Sequence, residues 1–300
     1  MGFFHKANNA WHYIIETYIK IGEAWKQLSG NSVTVGGAWK LVQPESTVTY
    51  TWTGAGDGVS WTDNANWNVG GSYPNKSNHA VIITAVSQSI VITATDIIIK
   101  SLSLNGLLTT LTLSKKLTIL DNLTIGGGGA NFGDLIMNGQ NVTVYGNISI
   151  NNGGDLFLGT GILEIGGNFI IGVNGLFTCS TGKVRFISAF KVSEITPDPT
   201  PDPFFDLECI TPGKTIKIKE GTVLKINGTL NIQGAAGKEI KLHSITPAST
   251  WSIDNTGNTE AVDCADVKDS SPVLSNDITA TNSIDNGNND VTTSPKWIFV

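Results

Sequence analysis

The sequence predicts an all-β protein: a single-chain, right-handed parallel β-helix preceded by a small β-hairpin repeat module. Three observations carry that expectation. Glycine accounts for 34 of 300 residues and charged residues for only 15%, with many Thr and Asn, a composition poor in helix formers. From Val81 onward, short runs of alternating apolar residues are punctuated by Gly and Asn. Several of these runs align with one another at a step near 21 residues, which is the mark of a coiled solenoid. A twisted antiparallel sandwich is the alternative, but it predicts no fixed register between copies.

The first unit spans 1–45. Trp11, Trp25 and Trp39 are 14 residues apart, and each follows an alanine. Asn8-Asn9, Gly22-Glu23 and Gly36-Gly37 stand just before these pairs, with alternating β-type residues on either side. Asn and Gly accept the positive φ of two-residue hairpin loops, so three consecutive hairpins are predicted, each tryptophan covering a small apolar face. Units this small must stack on neighbours or on another chain.

Residues 46–80 form the second unit, read as a tryptophan-rich cap. Trp52, Trp61, Trp67 and Pro74 precede the apolar run Ala80-Val81-Ile82-Ile83. A solenoid end exposes an apolar cross-section and open strand edges, and a tryptophan cluster covers both. A second reading makes Trp52, Trp61, Trp67 and Tyr73 a sugar-stacking platform. The cap reading takes precedence because every solenoid needs its end closed.

Residues 81–300 form the β-helix. The stretches 117–125, 142–150 and 163–171 align, Val184-Arg185-Phe186 follows one step later, and 224–232 is a looser copy. Asn122, Asn147 and Asn168 share one position in these copies. Asn tolerates the left-handed conformation of a corner, and stacked amides would form a ladder. That corner role accounts for the sequons at Asn122 and Asn147 without glycosylation. Four prolines at alternate positions in 196–203 cannot join a ladder, so a Pro-rich excursion is expected there before the rod resumes at Phe204.

The repeats Ile19-Lys20-Ile21-Gly22-Glu23-Ala24-Trp25-Lys26 and Val33-Thr34-Val35-Gly36-Gly37-Ala38-Trp39-Lys40 resemble short repeats of bacteriophage tail and fibre proteins. The W…G…W…NW…P pattern of 50–83, Phe204-Phe205-Asp206-Leu207 and the terminal Asn282–Asn289 and Trp297-Ile298-Phe299 resemble segments of β-helical bacterial surface adhesins. The first resemblance implies a virion-associated protein, and the second implies architecture.

Global features exclude several classes. Nineteen basic against 25 acidic residues give a net charge of −6, and Arg185 is the only arginine, so no basic face follows a phosphate backbone and nucleic acid is not an expected partner. No apolar run approaches the ~20 residues of a membrane span. His5, Lys6, Asn8, Asn9 and His12 leave no apolar signal core, predicting synthesis in a cytoplasm without a signal peptide. Cys179, Cys209 and Cys264 are too far apart for a disulfide framework or metal-ligand spacing, and His5, His12, His79 and His243 are scattered. Neither a metal nor a cofactor is expected.

Because β-helices include polysaccharide-cleaving tailspikes, paired carboxylates matter. Asp134 and Asp155 are 21 residues apart and should stack on adjacent coils, near the ~5 Å separation of a retaining glycosidase. Both follow a glycine at a predicted turn, where Asp is favoured for backbone reasons, and the next copy has none. Asp263, Asp266 and Asp269 have a calcium-like spacing but lack the glycine and distal glutamate of a binding loop, so a solvated strand face is expected. Gly126–Gly129 reads as a corner rather than a phosphate cradle.

The expectation is therefore a non-enzymatic phage fibre or spike protein. It would attach to other virion structural proteins by its N-terminal region, associate as a homotrimer, and present a rigid rod to a host cell-surface glycan or protein. The alternatives are a tailspike depolymerase and a cell-surface adhesin.

Overall fold

The structure is a computed structural model. It describes the strand backbones at 3–7, 10–14, 18–21, 24–27, 31–35 and 38–42, then residues 45–127, 133–197, 203–257, 259–274 and 276–300. The first six strands form three antiparallel hairpins: Phe3–Ala7 with Ala10–Ile14, Tyr18–Ile21 with Ala24–Gln27, and Asn31–Val35 with Ala38–Val42. Ala7 faces Ala10, Ile21 faces Ala24 and Val35 faces Ala38, the registers that two-residue loops impose. The loop pairs themselves, and the side chains of Trp11, Trp25 and Trp39 with their expected apolar faces, lie outside the described residues.

The rest of the described chain winds as a parallel solenoid with three faces. Face A is a ten-stranded sheet running from Ile97–Ile99 to Trp297–Phe299. Face B has eleven strands, from Val48–Thr51 to Ile284–Asp285. Face C is split into a five-stranded sheet, Ser89–Ile92 to Leu176–Thr178, and a three-stranded one, Val223–Ile226 to Ser270–Pro272. Each coil visits B, then C, then A, and all the pairings between coils are parallel, which removes the sandwich alternative.

Alternation decides which side chains enter the core. On face A, Leu117, Val142, Leu163 and Val184 stack in register, as do Ile119, Val144, Ile165 and Phe186 one pleat further on. All are fully buried, each contributing roughly 1.5–3 kcal/mol by leaving water. The steps are those read from the sequence, including the longer one from Leu117 to Val142; Gly128 and Gly129 of the run read as a corner lie outside the described residues. The looser copy behaves differently. Residues 117–125 place their first strand on face A and their second on face B, whereas Val223–Ile226 lies on face C and Thr229–Gln233 on face A. An Asn-Gly corner between two alternating runs suits more than one corner of the triangle, so the pattern alone does not set its phase.

The corner asparagines also work in a way that stacking alone did not anticipate. Their amides do not bond to one another. Asn122 Oδ1 accepts the backbone N–H of Asn147 at 2.9 Å, Asn147 Oδ1 that of Asn168 at 2.8 Å, and Asn168 Oδ1 that of Glu194 at 2.9 Å. None of the three has a positive φ, so the left-handed conformation is not what selects Asn here. Asn is selected because a corner breaks the backbone ladder, and a short side-chain oxygen replaces the missing carbonyl. Asn141 and Asp206 serve the N–H groups of Ile162 and Thr229 in the same manner.

Where face C loses a strand, aromatic rings fill the gap. Residues 198–202 of the Pro-rich stretch lie outside the described residues, and the chain returns through a single bridge between Phe204 and Ile226. Phe204 is buried, with ring centroids 5.8 Å from Phe169 and 5.5 Å from Phe177. Asp206–Cys209 then resumes face A, as expected.

Close stacking also sets the glycines. A Cβ on Gly167 would lie 2.3 Å from Asn147 Oδ1 and 2.7 Å from the Gly146 carbonyl oxygen, whereas one on Gly70 would meet nothing within 4 Å. Gly167→Ala is expected to lower stability by about 2–4 kcal/mol and Gly70→Ala to change it by no more than about 0.5 kcal/mol, measured by urea unfolding. Equal midpoints for the two variants would contradict the corner-packing account.

Candidate functional site

Asp134 and Asp155 are partners in register on adjacent strands of face C, Gly133–Ile136 and Gly154–Phe157, so the predicted stacking is present. Neighbouring strands lie about 4.8 Å apart, which keeps the carboxylates side by side. Thr110 precedes them in the column and Leu176 follows. Both are partly exposed, and burial alone holds the Asp134 carboxyl above the ordinary carboxylate range. The glycine before each has a packing cause: a Cβ on Gly133 would sit 2.4 Å from the Leu104 carbonyl oxygen, and one on Gly154 2.6 Å from that of Ile125. A side-by-side acid pair with one raised member can hold a proton.

The tryptophans of 46–80 face inward. Trp52, Trp61 and Trp67 are 3%, 0% and 3% exposed, which leaves no ring face for a sugar. They pack edge to face, with Trp67 5.0 Å from Trp52 and 4.8 Å from Trp61. Trp61 Nε1 donates to the Pro74 carbonyl at 3.0 Å and Trp67 Nε1 to the Trp61 carbonyl at 2.8 Å. The backbone closes the open edges above: Val48–Thr51 pairs with His79–Ile83, and Ser60 bridges to Val91. Buried Asn66 ties the loop together, its Oδ1 accepting the N–H groups of Gly56 and Gly58 and its Nδ2 donating to Asp57 and the Ser60 carbonyl. Hydrogen bonds from Ser60, Val59 and Asn66 hold the Asp57 carboxyl far below its ordinary value. Of the four platform candidates only Tyr73 keeps part of its surface open, lining a depression of about 350 Å³ with Tyr50, Lys76 and His79.

The three aspartates near the C-terminus do not converge, and no group of three metal-binding side chains occurs among the described residues. Asp266 and Asp269 are buried rather than on a solvated face. Each aspartate instead receives an asparagine amide from the next coil: Asn282 reaches Asp263 at 2.8 Å, Asn286 reaches Asp266 at 2.9 Å, and Asn288 reaches Asp269 at 2.8 Å. This pairing explains the Asn-rich stretch 282–289. Cys179, Cys209 and Cys264 are buried free thiols, and burial pushes Cys179 and Cys209 up to about 11. His243 bonds Asp266 at 3.0 Å, and the first hairpin sets His5 opposite His12 in register.

Two arrangements are invisible in the spacing of any motif. On the outer side of face A, Thr143, Glu164, Arg185, Glu208 and Asn231 fall in one column. Arg185 bridges Glu164 at 3.1 Å and Glu208, while Lys183 reaches Glu208 at 2.9 Å. Burial opposes the Glu208 charge, but hydrogen bonds from Lys183, Arg185 and Asn231 keep its carboxyl below the ordinary range. Secondly, Lys214 is fully buried, its Nζ donating to the carbonyls of Gly166 at 3.0 Å and Lys191 at 2.7 Å. It thereby satisfies carbonyls on two earlier coils. Only the three-dimensional phase of the coils brings either set together.

Burial draws the Lys214 ammonium down from 10.5 to about 8. Between these values the unfolded chain holds the proton more tightly than the folded one, so stability rises with pH across that window. The rise is about 3 kcal/mol from pH 8 to 10.5 and should be absent from Lys214→Met, as read from urea midpoints of both proteins across the window. A wild-type-minus-variant difference that stays flat with pH contradicts this.

Comparison with known proteins finds no matching family model, no matching curated protein and no matching solved structure.

Proposed function

We propose that this chain is a non-enzymatic structural and adhesive protein, a fibre or spike of a bacteriophage particle. The parallel β-helix itself supports the coarser part, a structural or adhesive role, because its coils are joined by backbone ladders and corner side chains into a stiff rod. A stiff rod presents a contact surface with little ordering cost on binding, and many copies on a particle raise avidity without a strong single site. The finer part rests on the hairpin repeats that resemble phage tail and fibre repeats. In this reading they join the chain to other virion proteins, as a homotrimer, while the solenoid contacts a host cell-surface glycan or protein.

The expected outcome is that the chain copurifies with intact phage particles at a fixed copy number, quantified by mass spectrometry of gradient-purified virions. Its absence from such particles sinks the virion assignment.

One observation favours a depolymerase as the second reading: Asp134 and Asp155 stand in register, and one is held protonated more readily than usual. A retaining mechanism would use Asp134 as the acid and Asp155 as the nucleophile. The structural reading predicts no reducing-sugar release from host capsule. Release that disappears in Asp134→Asn and in Asp155→Asn establishes the enzyme instead.

A further inference from the structure

The depression in the cap region is walled by Tyr50, Ser72, Tyr73, Asn75, Lys76 and His79 and encloses about 350 Å³. Its walls are fixed from behind. Tyr50 Oη and Ser72 Oγ are hydrogen-bonded at 2.8 Å, and the Asn75 side chain accepts the N–H of Ile98 at 3.0 Å. The Asn75 N–H donates to His79 Nδ1 at 3.2 Å, so the neutral ring carries its proton on Nε2. Tyr50 and His79 pack with ring centroids 4.5 Å apart. Burial and the nearby Lys76 hold the imidazole below its ordinary value against the opposing pull of the Glu45 carboxylate, so the ring is neutral near pH 7. Two features are left unused by this internal bonding. Tyr73 is only partly covered, and Lys76 is exposed and makes no ion pair among the described residues.

An aromatic wall, hydroxyl and amide groups, and an exposed ammonium at the rim suit a sugar ring that carries a carboxylate. The C–H face of the ring packs on the aromatic surface, the sugar hydroxyls exchange bonds with Ser72 and Asn75, and the carboxylate pairs with Lys76. We infer that this depression binds one acidic hexose residue, a hexuronate, of a surface polysaccharide. A neutral hexose leaves the ammonium unpaired, and the space is too small for the standard footprint of a protein partner. The inference gives the proposed host contact a site and rests on that reading for its biological setting.

The test is titration of the full chain with trigalacturonate, followed by NMR shifts of the cap and by tryptophan fluorescence, with maltotriose as the neutral comparison. Trp67 is a suitable reporter because Tyr50 lies edge-on to it with ring centroids 6.2 Å apart. A single shallow site predicts a Kd of about 1–10 mM. Lys76→Gln should weaken binding about tenfold, Lys76→Arg should retain it, and Tyr73→Ala should weaken it by about tenfold or more. Lys76 is exposed, so its variants test the site even if Tyr73→Ala disturbs folding. No response up to about 50 mM, an affinity indifferent to Lys76→Gln, or equal binding of maltotriose each overturns the inference. Particle incorporation and cell attachment without trigalacturonate binding would remove this site alone. Trigalacturonate binding by a chain absent from particles would remove the virion reading and leave the site standing.

Discussion

The hydrogen-bond demand of the backbone between successive coils governs this molecule. Every strand must give its N–H and C=O groups to strands about 4.8 Å above and below it. Strands meet that demand automatically, but corners and ends do not. The unusual residues of this chain stand mainly at those two places. Asn122, Asn147 and Asn168 supply oxygens at corners where the ladder breaks, and Lys214 answers corner carbonyls from within the core. Gly133, Gly154 and Gly167 let backbones approach more closely than a Cβ permits. At the N-terminal edge the cap supplies both strand partners and apolar cover.

This division explains what was legible beforehand. Repeats at 117, 142, 163 and 184 announced columns on face A because alternation and stacking share one period. The tryptophans of 46–80 stand out in the sequence, and covering a solenoid end accounts for their burial. The phase of 224–232 was not, since an Asn-Gly corner does not say which corner of the triangle it occupies. Partnerships between distant residues were harder still. The role of the terminal asparagines emerges only when the last coils set Asp263, Asp266 and Asp269 beside them. Of the candidate sites, the register of Asp134 with Asp155 was readable from their spacing, whereas the depression beside Tyr73 depends on the fold of the cap.

The sparse charge of the chain is likewise a matter of placement. A column of like charges on stacked strands would repel, so signs must alternate along it. Face A follows that rule with the only arginine, set between Glu164 and Glu208 on adjacent strands. The same arrangement accounts for a buried glutamate that stays ionised. At the corners of Asn122, Asn147 and Asn168 neutral amides carry the contacts between coils, which do not weaken with ionic strength as ion pairs do.

The split in face C gives the rod a mechanical character. Along most of its length, tension applied to the axis is carried by three parallel ladders. Between Thr178 and Val223 only faces A and B continue as sheets, and the third path narrows to the Phe204–Ile226 bridge. Aromatic packing fills that gap against water but offers little resistance to shear, since dispersion contacts lack the direction of hydrogen bonds. The coil bridged by Phe204 and Ile226 is therefore where bending and torque concentrate when the two ends of the rod are pulled apart.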